Sequence, residues 1–446
     1  MKKTLLFIAI ASMAIFTTKA QDVIKLGIND DIKTILTAYT GTNVVLVIPA
    51  GYTNPQNVPV ASTTTPITYS WNNIDLSTLT NLTSSTKITF KGDGSKPTLS
   101  LKAITLPAAL SKIAFKDLTI TGTVPVGNVP GSTIDPTLNY IFNQGASAPS
   151  IVDSIVLDNC NISTFRSLVR FQSAAAVTSP TQKANTVIIN NCVVSNFADY
   201  GVVYNSTTGG FFGPVKVTKS TFYGFGATVF MLQKNATSID ITDCTFDNIV
   251  GASAKALVDL STLVAPVTIT NCILGKTQLS SGGLTIKTAG TLTITNCYST
   301  TDWTAATSTA SAGITGTFTA YSGASTDLFT SVSVSTVAAA GPPATPYTTT
   351  VGNYKIKDAT FAGKNSAGDP RWYYNSVQAV NQVLSDKGVS FNGTEILNTK
   401  GLYIEVYNML GKKVAASKTT ISTTNYQKGV YVVRAAGSND SLKIII

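Results

Sequence analysis

A short string of alternating apolar and polar residues recurs along the middle of the chain. In each copy two apolar residues flank a variable one and a small residue ends the string, as in Ile239 to Cys244. An Asn or Asp precedes the small residue in all of these copies except Val215 to Ser220, which has Lys219 there. The terminal position is occupied in turn by Cys160, Cys192, Ser220, Cys244, Cys272 and Cys297. These positions are 24 to 32 residues apart, a period that is typical of repeat architectures.

The apolar residues of each copy alternate with period two, which predicts strands rather than helices. Asn and Asp tolerate the left-handed backbone conformation, so we expect a sharp bend directly before each Cys. Five residues beyond that position a large apolar residue recurs, as in Phe165, Phe197 and Phe225, and a further short apolar strand follows. Three short strands per repeat predict one turn of a coil whose turns stack on a common core.

This pattern resembles the right-handed parallel β-helix of the pectate-lyase-like proteins, from about Thr86 to Thr300. The resemblance implies an all-β fold, in which the residues before each Cys form that family's asparagine ladder. The predicted structural ladder consists of Asn159, Cys160, Asn191, Cys192, Asp243, Cys244, Asn271, Cys272, Asn296 and Cys297.

Two states are open to the cysteines. Export would favour disulfides, and stacking brings neighbouring Cα atoms within disulfide range. Equivalent residues of a coil, however, have parallel Cα–Cβ vectors, so we favour a file of buried free thiols that pack as small hydrophobic side chains. Thiols in a line do not surround a point, so we predict no metal site there.

The flanking segments complete the predicted domain order. A basic start and an apolar run ending at Ala20 predict a secretory signal peptide over 1–20. An N-terminal cap and first turn follow over 21–85, with a helix at Asp30 to Leu36, and the β-helix extends over 86–375. Within it, 301–350 reads either as loose final turns or as a decorated loop, and Gly368 to Trp372 as a capping turn with a packed Trp.

A linker at 376–385 leads to a C-terminal module over 386–446 with a different pattern. Strands alternate with Asn/Gly turns, which predicts a small β-sandwich. The string from Val406 to Val414, the strand Lys428 to Arg434 and the basic-apolar ending resemble the C-terminal sorting domain of Bacteroidetes type IX secretion. The resemblance implies delivery by the outer-membrane secretion machinery to the cell surface or the medium; an ordinary terminal interaction domain is the alternative.

Composition excludes several classes of site. Charged residues make up only 12% of the 446 residues, histidine is absent, and Glu395 and Glu405 are the only glutamates. Histidine-based triads, histidine-ligated metals and Glu–Glu glycosidase pairs are therefore excluded from most of the chain. The net charge of +10 comes mainly from lysines that are scattered in the sequence, which does not favour nucleic-acid binding.

The third strand of each repeat is the predicted binding face, because parallel strands present a long flat surface to an extended polymer. By alternation, Arg170, Asp259 and Lys287 point outward. The substrate-binding candidates on or near this face are Arg166, Arg170, Tyr204, Lys234, Asp259 and Lys287. The loops 127–143 and 174–185 would supply walls.

Three functions compete. The sparse carboxylates and absent histidines favour a non-catalytic binder of extended polysaccharide, which we expect to be a monomer. A polysaccharide lyase acting on uronic-acid glycans is the alternative, and there calcium would be the cofactor although the expected Asp cluster is missing. A structural adhesin is the third, and catalytic residues are not assigned.

Overall fold

The computed structural model describes most of the chain from residue 21 onward. The described residues are 21–53, 59–61, 69–71, 73–122, 140–144, 149–171, 181–197, 201–204, 210–225, 228–233, 235–249, 255–261, 263–277, 284–305, 309–310, 312–332, 352–374, 384, 387–408, 410–436 and 441–446. The predicted signal peptide and all of the linker 376–385 except Leu384 lie outside them.

The alternating strings stack as neighbouring strands of three long parallel sheets, as predicted for a parallel β-helix. Sheet 1 contains the strands that precede the Cys position, and we number the turns of the coil 1 to 11 by its main strands. These are Asp22–Lys25, Asn43–Ile48, Lys87–Gly92, Ala109–Lys116, Ser150–Asp158, Val187–Asn190, Val215–Thr218, Ile239–Thr242, Val267–Thr270, Leu292–Thr295 and Ile314–Thr315, with Gln182–Ala184 and Phe211–Phe212 at the side.

Sheets 2 and 3 follow sheet 1 within each turn. The strands of sheet 2 are Thr98–Leu101, Thr119–Gly122, Asn161–Phe165, Val193–Phe197, Thr221–Phe225, Thr245–Asp247, Ile273–Leu274, Cys297–Ser299 and Phe318–Ala320. The strands of sheet 3 are Ile74–Asp75, Ile104–Thr105, Tyr140–Gln144, Ser167–Phe171, Val203–Tyr204, Phe230–Met231, Ala256–Asp259, Leu284–Thr288 and Thr309–Ala310.

Short elements flank the coil. The first helix, Ile32–Ala38, begins two residues later than predicted, because the Asp31 side chain accepts from the Lys33 amide and so caps it. Two antiparallel strand pairs also lie outside the three sheets, Pro59–Ala61 with Tyr69–Trp71 and Phe329–Ser331 with Asn353–Ile356. A second helix spans Ser325–Leu328, and a 3₁₀ turn spans Pro370–Trp372. Within 301–350, the strands at 309–320 form a further turn of the coil.

The bend between sheets 1 and 2 uses the predicted left-handed residues. The φ angles of the five predicted residues, Asn159, Asn191, Asp243, Asn271 and Asn296, lie between 50° and 55°. Two residues that were not predicted, Asp117 and Lys219, have φ of 56° and 49° at the equivalent positions of turns 4 and 7. The five cysteines that follow are free and buried, in agreement with the predicted file of thiols. Each Sγ donates to the carbonyl oxygen two residues back, for example Cys192 to Asn190 at 3.2 Å.

The core of the coil consists of files of identical or similar side chains. Phe165, Phe197 and Phe225 occupy equivalent positions on turns 5 to 7, and the last two rings stack at 4.9 Å between centroids. Phe222 stacks on Phe246 of the next turn at 5.0 Å. Each turn thus buries its apolar residues against its neighbours.

The C-terminal module has a separate core between two antiparallel sheets. One contains Val389–Phe391, Glu395–Asn398 and Ile421–Ser422, and the other Lys413–Ser417, Ile404–Asn408, Val430–Ala435 and Ser441–Ile445. Ile396 of the first sheet and Val406 and Val433 of the second share one buried cluster. This is the predicted β-sandwich.

Candidate functional site

The outward file predicted on sheet 3 exists as a file of paired residues. Register places Arg170 beside Tyr204, Tyr204 beside Met231, Met231 beside Asp259, and Asp259 beside Lys287. Asp259 and Lys287 are therefore on adjacent turns, whereas Arg170 lies three turns from Asp259. At about 4.8 Å per turn this is about 14 Å, too far for one sugar carboxylate to contact both.

The two arginines of this face contact the same phenol. Arg166 Nη1 donates to Tyr140 Oη at 3.2 Å and Arg170 Nη1 donates to it at 2.7 Å. The Arg170 guanidinium also lies 5.2 Å from the centroid of the Tyr140 ring, a cation–π contact. Both arginines are half-buried and are held within the protein.

Asp259 does not present a free carboxylate to solvent, contrary to the prediction from alternation alone. It is buried, and it accepts hydrogen bonds from Gln233 Nε2 at 2.5 Å and from the Ser261 amide at 2.8 Å. Lys287 is exposed as predicted. Lys234, the side chain of Tyr204, and most of the loops 127–143 and 174–185 lie outside the described residues.

The asparagine ladder is continuous on both sides of one interruption. Asn159 Nδ2 donates to Asp117 Oδ1 at 2.7 Å and Asn191 Nδ2 to Asn159 Oδ1 at 3.1 Å; on later turns Asn271 and Asn296 repeat the pattern. Turn 7 carries Lys219 in this position. Lys219 has no side-chain amide to continue the ladder, and Asn191 Oδ1 accepts instead from a donor in another part of the chain.

That donor is Arg371, which belongs to a segment that we call the strap, residues 352–374. Arg371 Nη2 donates to Asn191 Oδ1 at 2.9 Å and to the Lys219 carbonyl oxygen at 3.2 Å. Farther along the strap, Asn296 Nδ2 of turn 10 donates to the Ser366 carbonyl oxygen at 3.0 Å. The strap therefore runs back along the coil from turn 10 to turn 6.

Asp369 anchors the strap in the middle of this path. Its carboxylate accepts from Thr221 Oγ1 at 2.7 Å and pairs with Arg371 Nε at 2.9 Å, and its amide donates to Thr245 Oγ1 at 3.0 Å. Burial raises the pKa of Asp369 to about 6, with the Arg371 charge acting in the opposite direction. The segment Gly368 to Trp372 was predicted to cap the coil; it lies instead along its side, because its polar groups match the outward hydroxyls of sheet 2.

A pocket of about 580 Å³ opens where the strap meets sheet 2. Its floor consists of outward residues of turns 5 to 7, and its wall belongs to the strap. The lining residues are Asn161, Ile162, Ser163, Thr164, Val193, Ser195, Asn196, Tyr223, Gly352, Tyr354, Arg371 and Trp372.

Three aromatic rings form one side of this strap pocket. The Tyr223 and Tyr354 centroids are 5.4 Å apart, and the Tyr354 and Trp372 centroids 6.3 Å. Trp372 Nε1 donates to Thr221 Oγ1 at 2.7 Å, which fixes the indole over the sheet. Tyr354 Oη donates to the buried carboxylate of Asp247 at 3.2 Å. Each of these hydrogen bonds thus ties a ring of the wall to a side chain of sheet 2.

The opposite side is polar and strained. Thr164 has φ of 69°, in the left-handed region that a β-branched residue rarely adopts, whereas the equivalent positions of the next turns are Asn196, Gly224 and Asn248. Lys96 lies at this end, with Nζ 3.5 Å from Asn161 Oδ1; burial, followed by the charge of Arg371, lowers its pKa. Strain of this kind is concentrated at functional sites.

A file of hydroxyl side chains leads from the open end of the pocket toward the N-terminus. Ser100, Thr121, Ser163 and Ser195 are paired in register on turns 3 to 6, and the file ends at Tyr223. Neither this file nor the strap pocket was predicted from the sequence. Ser and Thr are common throughout the chain, so the residues of the file do not stand out in the sequence. The strap contacts turn 7 from about 150 positions later in the chain, and a contact of this kind produces no repeated spacing in the sequence.

Comparison with known families matches two parts of the chain, one within the coil and one at the C-terminal module. Residues 69–225 match a domain of unknown function, DUF4957, which includes turns 3 to 7 and the floor of the pocket but not the strap. Residues 388–446 match the secretion system C-terminal sorting domain. No curated protein matches the chain significantly.

The sorting domain match indicates export through the type IX secretion system of Bacteroidetes to the outer surface or the extracellular space. It also implies contact with the secretion machinery. Among the described residues, no helix has the length and apolar character needed to span a membrane.

Proposed function

We propose that the exported protein binds an extended polysaccharide on sheet 2, with one end of the bound stretch in the strap pocket, and does not cleave it. The observation that carries the proposal is the hydroxyl file of turns 3 to 6, which ends at the aromatic wall of Tyr223, Tyr354 and Trp372. A sugar presents hydroxyl groups at its edges and a flat apolar C–H face. The hydroxyl file offers partners to the edges, and Trp372, the one half-buried ring of the wall, offers its surface to the C–H face, because Tyr223 and Tyr354 are buried behind it.

The dimensions support a polymer rather than a single sugar. The hydroxyl file repeats at about 4.8 Å per turn along the axis of the coil. Ser100 to Ser195 spans three such steps, about 14 Å, before the strap closes the path. The pocket volume lies within the range of about 300 to 1,000 Å³ that is typical of small-molecule sites.

The lyase alternative finds less support in the arrangement of charges. Calcium needs several convergent oxygen ligands, usually carboxylates. The described part of the chain brings together no group of three or more Asp, Glu or Cys residues suited to a metal ion. On sheet 3, Arg170 is held by Tyr140 and Asp259 by Gln233 and Ser261, so neither is poised for proton abstraction.

A glycan array with the mature protein tests the proposal. Ser163→Leu places a larger apolar group on the outward face of turn 5, where it blocks the hydroxyl file without entering the core. The matched control is Thr268→Leu, on the outward face of sheet 1 at turn 9. We expect Ser163→Leu to abolish binding and Thr268→Leu to preserve it.

The same array distinguishes the two candidate faces. If Ser163→Leu binds normally and Arg170→Ala does not, the glycan lies on sheet 3 and the sheet 2 proposal is wrong. Incubation with uronic-acid polymers, with and without calcium, tests the absence of cleavage. A rise in the absorbance of unsaturated products would show that the protein is a lyase and would refute the proposal of a non-catalytic binding protein.

A further inference from the structure

Lysines that are scattered in the sequence converge on the first turns of sheet 1. Register pairs Lys87 of turn 3 with Lys112 of turn 4, and Lys91 with Lys116. Lys25 of turn 1 pairs with Val47 of turn 2, which in turn pairs with Lys91. Five cations thus form two files on one face, although they lie up to 91 positions apart in the chain.

This lysine face is nearly free of compensating charge. The strands of turns 2 to 4, Asn43–Ile48, Lys87–Gly92 and Ala109–Lys116, contain no carboxylate. Turn 1 contains Asp22, which pairs with Val44 outside the two lysine files and accepts from Tyr39 Oη at 2.7 Å. Lys116 Nζ lies 3.3 Å from Asp158 Oδ2 of turn 5, at the edge of the face. Lys25, Lys87 and Lys91 are exposed and Lys112 is half-buried.

Like charges on directly paired residues of a sheet destabilise it. Here the repulsion occurs twice, between Lys87 and Lys112 and between Lys91 and Lys116. Later turns of the same sheet avoid it: Lys216 of turn 7 pairs with Asp240 of turn 8. A face that accumulates repulsion at one end of the coil and neutralises it elsewhere is suited to an anionic partner.

The geometry restricts the shape of that partner. Paired lysines of turns 3 and 4 are about 4.8 Å apart along the axis, and Lys25 lies two turns, about 10 Å, from Lys91. The two files are separated by four residues of strand, about 13 Å. Between them lie the uncharged Val45, Thr89 and Ala114. A linear polymer lying along the coil axis would place its anionic groups between two rows of ammonium groups.

The chemistry of the cations restricts the anion. Arginine has a planar fork that matches carboxylates and phosphates in a bidentate manner, whereas lysine acts as a point charge. The sheet 1 strands contain no arginine, so this face selects by charge density rather than by fork geometry. A sulfate ester is fully ionised and turns freely about its ester bond, so it fits such a face well.

We propose that this lysine face of turns 1 to 4 binds a linear sulfated polysaccharide. The site is on a different sheet from the strap pocket and does not depend on it. Association is electrostatic, so it weakens as added salt screens the exposed charges over about 10 Å.

The test is binding of the full mature chain to dextran sulfate, with unsulfated dextran of the same length as the matched ligand. The variant Lys87→Gln/Lys91→Gln/Lys112→Gln leaves the Lys116–Asp158 pair intact. The control variant Lys216→Gln/Lys276→Gln/Lys418→Gln removes the same net charge from exposed positions elsewhere. We expect binding to dextran sulfate only, weakened about tenfold in the first variant and at most twofold in the control.

Four results would overturn the proposal: equal weakening by both variants, binding to unsulfated dextran, equally tight binding to polygalacturonate, or tighter binding to anionic phospholipid vesicles. Ser163→Leu separates the two proposals, because it blocks the strap pocket file and leaves the lysine face unchanged. If dextran sulfate binding were lost in Ser163→Leu but not in the lysine variant, sulfated glycan would occupy sheet 2.

Discussion

Acidification from pH 7 to pH 5 should stabilise this protein. Asp247 is completely buried beneath the strap, where it accepts from the Lys276 amide at 2.7 Å and from Tyr354 Oη. Burial raises the pKa of Asp247 to about 6, and burial likewise raises the pKa of Asp369 to about 6. A carboxyl whose pKa is higher in the folded than in the unfolded state binds more protons when folded. The folded state is therefore favoured as the pH falls through 6 toward 4.

The magnitude follows from the two pKa values. Between pH 7 and pH 5, one carboxyl that titrates near 6 when folded and near 3.8 when unfolded changes the free energy of unfolding by about 1 kcal/mol. Asp247 and Asp369 together give about 2 to 3 kcal/mol. Other side chains interfere little in this window. The chain has no histidine, and the carboxyls with lowered pKa, including Asp358, lose their stabilising contribution only below about pH 4.

Urea unfolding at pH 5, 6 and 7, followed by tryptophan fluorescence, measures the effect on the coil. All three tryptophans, Trp71, Trp303 and Trp372, precede the sorting domain, so its unfolding does not contribute. Asp247→Asn should raise stability at pH 7 and remove about half of the pH dependence, whereas Asp358→Asn should leave that dependence unchanged. A wild-type protein that is equally stable or less stable at pH 5 would refute the reasoning.

Three further substitutions test single features of the coil and strap. Thr164→Asn should raise the free energy of unfolding by about 1 kcal/mol, because Asn tolerates the left-handed backbone better; unchanged or lower stability in urea would contradict the assigned strain. Phe222→Ala should lower the free energy of unfolding by about 3 to 5 kcal/mol, because the stack on Phe246 is lost. The control is Ile188→Ala, at a half-buried outward site of sheet 1. A smaller decrease in melting temperature for Phe222→Ala than for Ile188→Ala would contradict the core assignment. Arg371→Ala should lower the free energy of unfolding by about 3 to 5 kcal/mol, because Asp369 loses its buried partner. Lys364→Ala, also in the strap, is the control. The protection of strap amides from hydrogen exchange measures the effect.

The repeated part of the fold was predictable because each turn restates the same local information. The Asn or Asp before Cys160 and Cys272 specifies the bend, and period-two alternation specifies which side chains enter the core. Register then follows, which is why Arg170, Tyr204, Asp259 and Lys287 fall in one file as expected.

What the sequence did not reveal depends on contacts without periodicity. Asp259 was predicted to be accessible because alternation shows which way a side chain points but not which other residues lie over it. The Gln233 and Ser261 side chains that contact it come from irregular connections. The strand Asp22–Lys25 was missed as turn 1, since it is too short and too polar to stand out before its pairing with Asn43–Ile48 is known.

At Lys219 the periodic pattern of the coil is interrupted, and a contact from outside the repeats takes its place. An Asn at that position would satisfy Asn191 from within the coil, and Arg371 would then lose its acceptor on turn 6. With Lys219 present, the ladder is complete only when the strap is docked, and docking is also what brings Trp372 over Thr221 and closes the pocket. The floor of the pocket lies within the region that matches DUF4957, but its wall does not. In a protein with the same repeats and an Asn at the Lys219 position, the ladder could therefore continue from turn 6 to turn 7 within the coil, and the strap would be held by its remaining contacts with Thr221, Thr245 and Asn296.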